Sequence, residues 1–260
     1  MNSDSRIFFL LTFFVVPIAL VIGGCGPSPR IDTRVCPPET QITSRAVLAH
    51  SVEGRQIEYM RIGCGEKTTL VIGGIHGNEP ASEIIAWELA DRLKQNPNIL
   101  KGHSVIIVPA SNPDGLAAGT RENARGVDLN RNFPAENREN IPLYGMEGFS
   151  EPESRALQEL KEIYPPSRII SIHQPLECID YDGPGREIAE AMAKYCDLPV
   201  KKLGARPGSY GSYAGIELGI PIITYEMRRY DEQYSPEELW DMYGKSLMAG
   251  IYYPEPPVLP

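Results

Sequence analysis

The chain has 260 residues, of which 42% are hydrophobic and 23% charged, and a formal net charge of −9. These globular proportions exclude a disordered chain and suit one full-sized α/β domain better than two. The acidic balance offers no general attraction to nucleic acid or anionic lipid, so no nucleic-acid partner is expected.

The chain opens with "MNSDSRIFFLLTFFVVPIALVIGGCG": a polar start with one arginine, then an apolar run from Ile7 to Gly24 broken by Thr12 and Pro17. That is the layout of a secretory signal. Its end, Ile22-Gly23-Gly24-Cys25, resembles a bacterial lipoprotein box, which implies removal of residues 1–24 and lipidation of Cys25. An uncleaved membrane anchor is the alternative, since the run is nearly long enough to span. Either reading places the protein outside the cytoplasm, tethered to a membrane of the cell envelope. Residues 25–42, rich in proline and polar groups, read as the tether. Four further cysteines remain, Cys36, Cys64, Cys178 and Cys196, and an even count in an exported protein suggests up to two disulfides. The pairs Cys36–Cys64 and Cys178–Cys196 join neighbouring segments and are the expected ones. No two cysteines form a C-x-x-C unit, which argues against a cysteine zinc site.

The folded domain is expected over 43–253, followed by a proline-rich tail at 254–260. "AVLAHSVEGRQIEYMRIG" alternates around Glu53-Gly54 and reads as a β-hairpin. "TTLVIGGI" is a buried strand. The helix over "ASEIIAWELADRLKQNP" places Ile84, Ile85, Leu89 and Leu93 on one face and stops before Pro97. "HSVIIVPA" is a second buried strand, with "NPDG" at 112–115 turning out of it. Residues 116–150 are polar and without periodicity, and a loop of that length in a compact domain is more often functional than idle. A helix over "EPESRALQELKEIY", a strand "RIISIHQ", a helix "GREIAEAMAKYC", a strand "PIITYEM" and a last helix "SPEELWDMYGKSLMAGIYY" follow. Strands alternating with helices predict an α/β fold of three layers, a mixed and mostly parallel sheet with helices on both faces.

Three buried strands share one feature. "TTLVIGGI" leads to His76, with Glu79 three residues on; "RIISI" leads to His173; "PIITY" leads to Glu226. Ligands of open α/β sheets sit at the carboxyl ends of strands, so these four side chains are aimed at one edge. His76, Glu79 and His173 form a His2Glu set, the ligand type of a catalytic zinc site with a fourth position open to water. Glu226 is then left to act as a base on that water. The other two histidines, His50 and His103, lie at or before strands and read as structural. The loop "TRENARGVDLNRNFP" packs three arginines and three asparagines into an acidic protein. Arginine suits bidentate recognition of carboxylates and stabilisation of an oxyanion.

"GGIHGNEPAS", "NPDG", "GVDLNRNFP", "SIHQPL" and "ITYE" occur in the order found in zinc carboxypeptidases of the M14 (carboxypeptidase A-like) family, and the resemblance covers roughly residues 45–250. "IHQPL" followed by "IDYDGPG" is similar to the short bacterial murein peptide amidase branch. The resemblance implies one zinc ion held by His76, Glu79 and His173, with Glu226 as general base and acid. It implies that Asn130 and Arg131 grip the terminal carboxylate of the substrate and that Arg121 polarises the scissile carbonyl, Arg125 being a rival. The mobile tyrosine of digestive members falls near Gly204 here, and Tyr210 and Tyr213 are the nearby substitutes.

The expected activity is hydrolytic removal of a C-terminal residue from a peptide, foremost at the γ-D-glutamyl–diaminopimelate bond of murein peptides. Asp182 or Asp180 would then meet the distal ammonium of diaminopimelate, a polar turn being the plainer account of both. An M14 carboxypeptidase acting on ordinary L-peptides, a deacylase of N-acyl amino acids and an inactive binding lipoprotein are the alternatives. The Asn130–Arg131 pair favours a peptidase over a deacylase, and the complete set of ligands and base argues against an inactive protein.

Overall fold

A computed structural model describes residues 43–260. The signal segment 1–24, the lipidation site Cys25, the tether 25–42 and Cys36 lie outside the described residues. Among the described residues no helix is long and apolar enough to cross a membrane.

Seven strands form one sheet: β1 (Thr43–His50), β2 (Gln56–Gly63), β3 (Lys67–Ile72), β4 (His103–Val108), β5 (Arg168–His173), β6 (Cys178–Asp182) and β7 (Ile222–Glu226). Their order across the sheet is β1-β2-β4-β3-β5-β7-β6. The four central strands β4, β3, β5 and β7 run parallel, and the antiparallel pairings lie toward the two edges. This is the mixed sheet expected, with its parallel part at the centre. β4 and β5 are buried along their whole length, as parallel strands covered on both faces must be.

On one face, α1 (Pro80–Gln95), α4 (Arg186–Ala193) and α6 (Lys245–Tyr252) pack their apolar stripes, including Ile85, Leu89, Met192, Leu247 and Ile251, against Val71, Ile107, Ile170 and Tyr225. On the other, α3 (Pro152–Ile163) covers Leu70, Ile106 and Ile169 with Ala156, Leu157 and Leu160. Pro80 and Pro152 each stand in the first turn of a helix, where a missing N–H costs nothing.

Several local readings change. "NPDG" opens a short helix, α2 (Pro113–Ala118), rather than a plain turn. Asn112 caps it by accepting from the Gly115 N–H at 2.9 Å, and asparagine followed by proline marks a helix start as readily as a turn. β6 has too little hydrophobic alternation to be seen in sequence. Residues Gly211–Glu217 form a π-helical turn, and a second one at Trp240–Gly244 interrupts the last helix between α5 (Pro236–Leu239) and α6.

The cysteines divide differently from the expectation. Cys64 is disulfide-bonded, whereas Cys178 and Cys196 are free thiols. The register explains why: Cys178 pairs laterally with Glu226, and Ile179 with Tyr225. Cys196 packs with Ile179 and Tyr225 against the α1/α4/α6 layer. Alternation along β6 therefore sends Cys178 to the opposite face of the sheet, out of reach.

Candidate active site

The site begins where β3 ends. The chain leaves Ile72 through Gly73 and Gly74, the latter at φ +60°, and a Cβ on Gly73 would lie 2.5 Å from the Ser82 carbonyl oxygen. This close approach brings the start of α1 beside the strand exit and folds His76 back toward Glu79. Glu79 occupies the cap position of α1, yet its carboxylate does not cap the helix. It turns instead to the two imidazoles: Oε1 lies 2.8 Å from His76 Nδ1 and Oε2 lies 2.9 Å from His173 Nδ1.

His173 stands at the end of β5, the neighbour of β3, and its Nδ1 is 3.2 Å from that of His76. One donor atom from each of the three buried residues lies within 4.8 Å of the others. Two imidazole nitrogens and a carboxylate converging on one point form a donor set suited to a shared cation. A tetrahedral zinc with Zn–N distances near 2.0–2.1 Å separates its ligand nitrogens by about 3.3 Å, so the set fits that ion. The outer ring nitrogens are fixed: His76 Nε2 lies 3.1 Å from Asp128 Oδ1, and His173 Nε2 lies 3.0 Å from Ser171 Oγ. Each contact suits an Nε2–H donor, which leaves Nδ1 free for a metal. Burial alone would raise the Glu79 carboxyl, but His76 and His173 hold it well below the usual range, so it is ionised.

Glu226 ends β7 directly across from His173 in the parallel register. Its Oε2 accepts from the Leu176 N–H at 3.3 Å. Burial raises its pKa, with the Glu79 charge adding to the effect and His173 opposing it. Such a carboxylate takes up and releases a proton closer to neutral pH than an exposed one.

The 116–150 loop places its basic residues unequally. Arg121 lines the cavity and donates through Nε to Asp128 Oδ2 at 2.9 Å and through Nη1 to Glu79 Oε1 at 3.3 Å. Arg125 points away, 3.4 Å from Glu151 and outside the cavity, which removes it as the rival of Arg121. Asn130 and Arg131 both line the cavity. Asn130 Oδ1 accepts from the Tyr210 N–H at 2.9 Å, and the Arg131 guanidinium lies over the ring of Tyr144.

Tyr210 and Tyr213 do not offer a mobile hydroxyl. Tyr210 touches the cavity wall, but it is only 1% exposed and its ring stacks on Phe133 at 4.4 Å. Tyr213 packs edge-on against Phe149 and donates to Gln158 Oε1, away from the cavity. Both belong to an aromatic cluster that supports the loop. Asp182 reaches the cavity, but its carboxylate is already matched by the Lys202 ammonium.

Three residues of the site escape the sequence reading. Asp128 joins His76, Arg121 and the Asn130 N–H. Its signal was present, an acid two residues before Asn130 in a stretch otherwise rich in arginine and asparagine. Gln174 donates its N–H to Glu79 Oε2 and its side chain bridges the Ala81 N–H and the Arg228 carbonyl. Tyr144 comes from a part of the loop with no periodicity to place it.

The cavity has a volume of about 390 Å³. Its floor is one face of three neighbouring strands: Ser171 and His173 of β5, Ile222, Thr224 and Glu226 of β7, and Asp180 and Asp182 of β6.

The family model for zinc carboxypeptidases, peptidase M14, matches residues 38–182. Murein peptide amidase A of Escherichia coli K12 is 34% identical over 216 residues, spanning 76% of this chain and 85% of that protein. Among solved structures, murein-tripeptide amidase MpaA from Escherichia coli O157 superposes with a TM-score of 0.63 at 29% identity, over 84% of this chain and 96% of that one. Carboxypeptidase A from Helicoverpa armigera has the same fold, with a TM-score of 0.68 at 20% identity over 82% of this chain and 70% of that one.

Proposed function

The chain belongs to the zinc carboxypeptidase family, a family of hydrolytic enzymes, and we propose that it removes the C-terminal residue of murein peptides by cleaving the γ-D-glutamyl–diaminopimelate bond. The observation that carries the hydrolytic part is the convergence of His76, Glu79 and His173 beside Glu226 and the Asn130–Arg131 pair in one cavity. The substrate class is supported by the likeness to murein peptide amidases along most of both chains.

A zinc ion bound by the three ligands supplies Lewis-acid polarisation of the scissile carbonyl and of water. The protein's own groups do the rest. Asn130 and Arg131 bind the terminal carboxylate and so set which bond meets the reacting centre. Arg121, anchored by Asp128, donates to the oxygen of the scissile carbonyl as negative charge develops there; its place in the cavity lining supports that role. Glu226 is held through Oε2 by the Leu176 N–H. Its Oε1 is left to take the proton of the attacking water and return it to the departing nitrogen.

The same proposal places the protein in the cell envelope as a lipoprotein anchored through Cys25. The Ile22-Gly23-Gly24-Cys25 sequence supports it, as does a disulfide at Cys64, which suits an oxidising compartment.

The test incubates residues 26–260 with zinc and either L-Ala-γ-D-Glu-diaminopimelate or ordinary L-peptides of varied C-termini, with products read by mass spectrometry. Release of diaminopimelate alone is expected. Release of L-residues alone would move the protein to the general carboxypeptidases, and Glu226→Gln should lower either activity by about 10²–10⁴-fold.

A further inference from the structure

The opposite end of the sheet holds a second cavity, about 280 Å³ in volume. β2 ends there at Gly63 and β3 begins there, and the register sets Gly63, Ser104 and Thr68 side by side across β2, β4 and β3. Alternation along β2 puts Arg61 on the same face as Gly63. Two residues further along that face, Ile106 and Leu70 lie under α3. The helix stops at Ile163, so the last row of the face is left to Tyr164 and Pro165, which line the cavity. Cys64, whose sulfur is committed to a disulfide, borders it.

Arg61 is 6% exposed, and its guanidinium lies over the Tyr164 ring. The ring meets only the flat face of that group, and the N–H edge goes unmatched. Nε is buried without an acceptor, and the Nη groups donate to no described residue. Arg168, almost as deeply buried, behaves differently: its Nη1 donates to the carbonyls of Gly250 and Tyr253 at 2.9 and 2.6 Å. An arginine cannot shed its proton to relieve burial, so the charge of Arg61 calls for a counter-charge. Among the described lining residues the only acid is Glu66, which is exposed and forms no ion pair with Arg61. The neighbouring hydroxyls are also underused. That of Thr68 makes no hydrogen bond with a described residue, and that of Ser104 makes only a long one, 3.5 Å, to the Gly63 carbonyl.

We propose that this cavity binds a phosphate group, with the Nη groups of Arg61 donating to two of its oxygens and the Thr68 and Ser104 hydroxyls to the others. The planar fork matches two oxygens of a phosphate, and a tetrahedral anion keeps further oxygens for the hydroxyls, which a carboxylate does not. The site stands at the far edge of the sheet from His173 and Glu226 and takes no part in hydrolysis. Two sources carry such a group: a free phosphate, and the head group of a phospholipid. The second follows from where the chain enters the domain, because Thr43, the first residue of β1, stands opposite Ile62 at this same end. It rests on the lipoprotein reading, in which residues 25–42 lead from the membrane to this point.

Calorimetric titration of zinc-loaded residues 26–260, disulfide intact, with inorganic phosphate should show binding with a Kd of about 1 mM or tighter. Phosphate can also meet the zinc and Arg131, so Arg131→Gln is titrated alongside and should retain this binding. Arg61→Gln should weaken it about tenfold or more, a charged donor being lost, and Thr68→Val about threefold to tenfold for a neutral one. Thr68→Val nearly preserves the volume of the side chain, which guards against a fold lost with Arg61, and both variants should keep wild-type zinc affinity. Absence of phosphate binding by the wild-type protein would overturn the assignment, as would binding that survives both substitutions. Sedimentation with vesicles of phosphatidylethanolamine and phosphatidylglycerol separates the two sources. Pelleting that falls in Arg61→Gln assigns the group to a lipid, and calorimetric binding without pelleting assigns it to a free phosphate.

Discussion

Asp128 accepts from three directions at once: the His76 ring at 3.1 Å, Arg121 Nε at 2.9 Å and the Asn130 N–H at 2.9 Å. Burial opposes its ionisation, but the His76 and Arg121 contacts outweigh it and hold its pKa well below the usual range, so it is a carboxylate. In Asp128→Asn the volume is kept and one oxygen can still accept. The amide nitrogen, however, must face either the His76 ring or Arg121, donor against donor. Loss of the partner behind a metal-binding imidazole typically weakens metal affinity about 10–100-fold, or roughly 1.4–2.7 kcal/mol. The Arg121 contact adds less, because that side chain is 36% exposed and solvent screens the pair. Zinc affinity measured by competition with a chelator should therefore fall by one to two orders of magnitude. At saturating zinc a smaller drop in kcat/KM should remain, reflecting a misplaced Arg121. If the variant binds zinc within about twofold of wild type, Asp128 does not orient His76 and the reasoning is wrong, whatever happens to thermal stability.

Gly77→Ala should destabilise the protein by about 3 kcal/mol or more, the upper end of the overpacking range, because a Cβ there would lie 1.8 Å from the Gly115 carbonyl carbon, a backbone atom that cannot rotate away; urea unfolding measures it. Burial lowers the pKa of His103 although Glu255 opposes the shift. The unfolded chain therefore takes up the proton first, so its contribution to stability is present above about pH 6.5 and lost as pH falls toward the lower folded value. A His103→Gln protein should lack that decline between pH 6.5 and 5 when unfolding midpoints are compared. Alkylation of the unfolded, unreduced protein should modify Cys178 and Cys196 but not Cys64, as read by peptide mass mapping.

The parallel centre of the sheet was legible because β3, β4 and β5 are short apolar runs bounded by breakers, and the reacting centre because its residues stand at the exits of such runs. The helices α1 and α3 were legible from their periodicity. What stayed hidden was whatever depends on pairing across the fold. β6 carries two aspartates whose burial is set by β7 and by the Gly211–Glu217 turn, so nothing in "CIDYD" announces a strand. Arg121 and Arg125 are four residues apart in a loop without period, and only the position of Asp128 and Glu151 decides which one faces inward. The two tyrosines near the base were misplaced for the same reason: Phe133 and Phe149, distant in sequence, draw their rings into the core.

The lateral pairing of His173 with Glu226 means that a ladder of backbone hydrogen bonds sets the spacing from which the imidazole and the carboxylate project, at the inter-strand repeat of about 4.8 Å. Inserting a single residue into β7 would turn Glu226 to the opposite face and silence the enzyme. The segment 201–217 forms the far wall of the cavity and belongs to no strand. Its exposed part, residues 201–207, can be rewritten without touching that ladder, whereas Tyr210, Ala214 and Gly215 pack on the core and on β7. Descendants of this chain can thus exchange one diet for another by editing a wall, while the cutting edge is inherited unchanged.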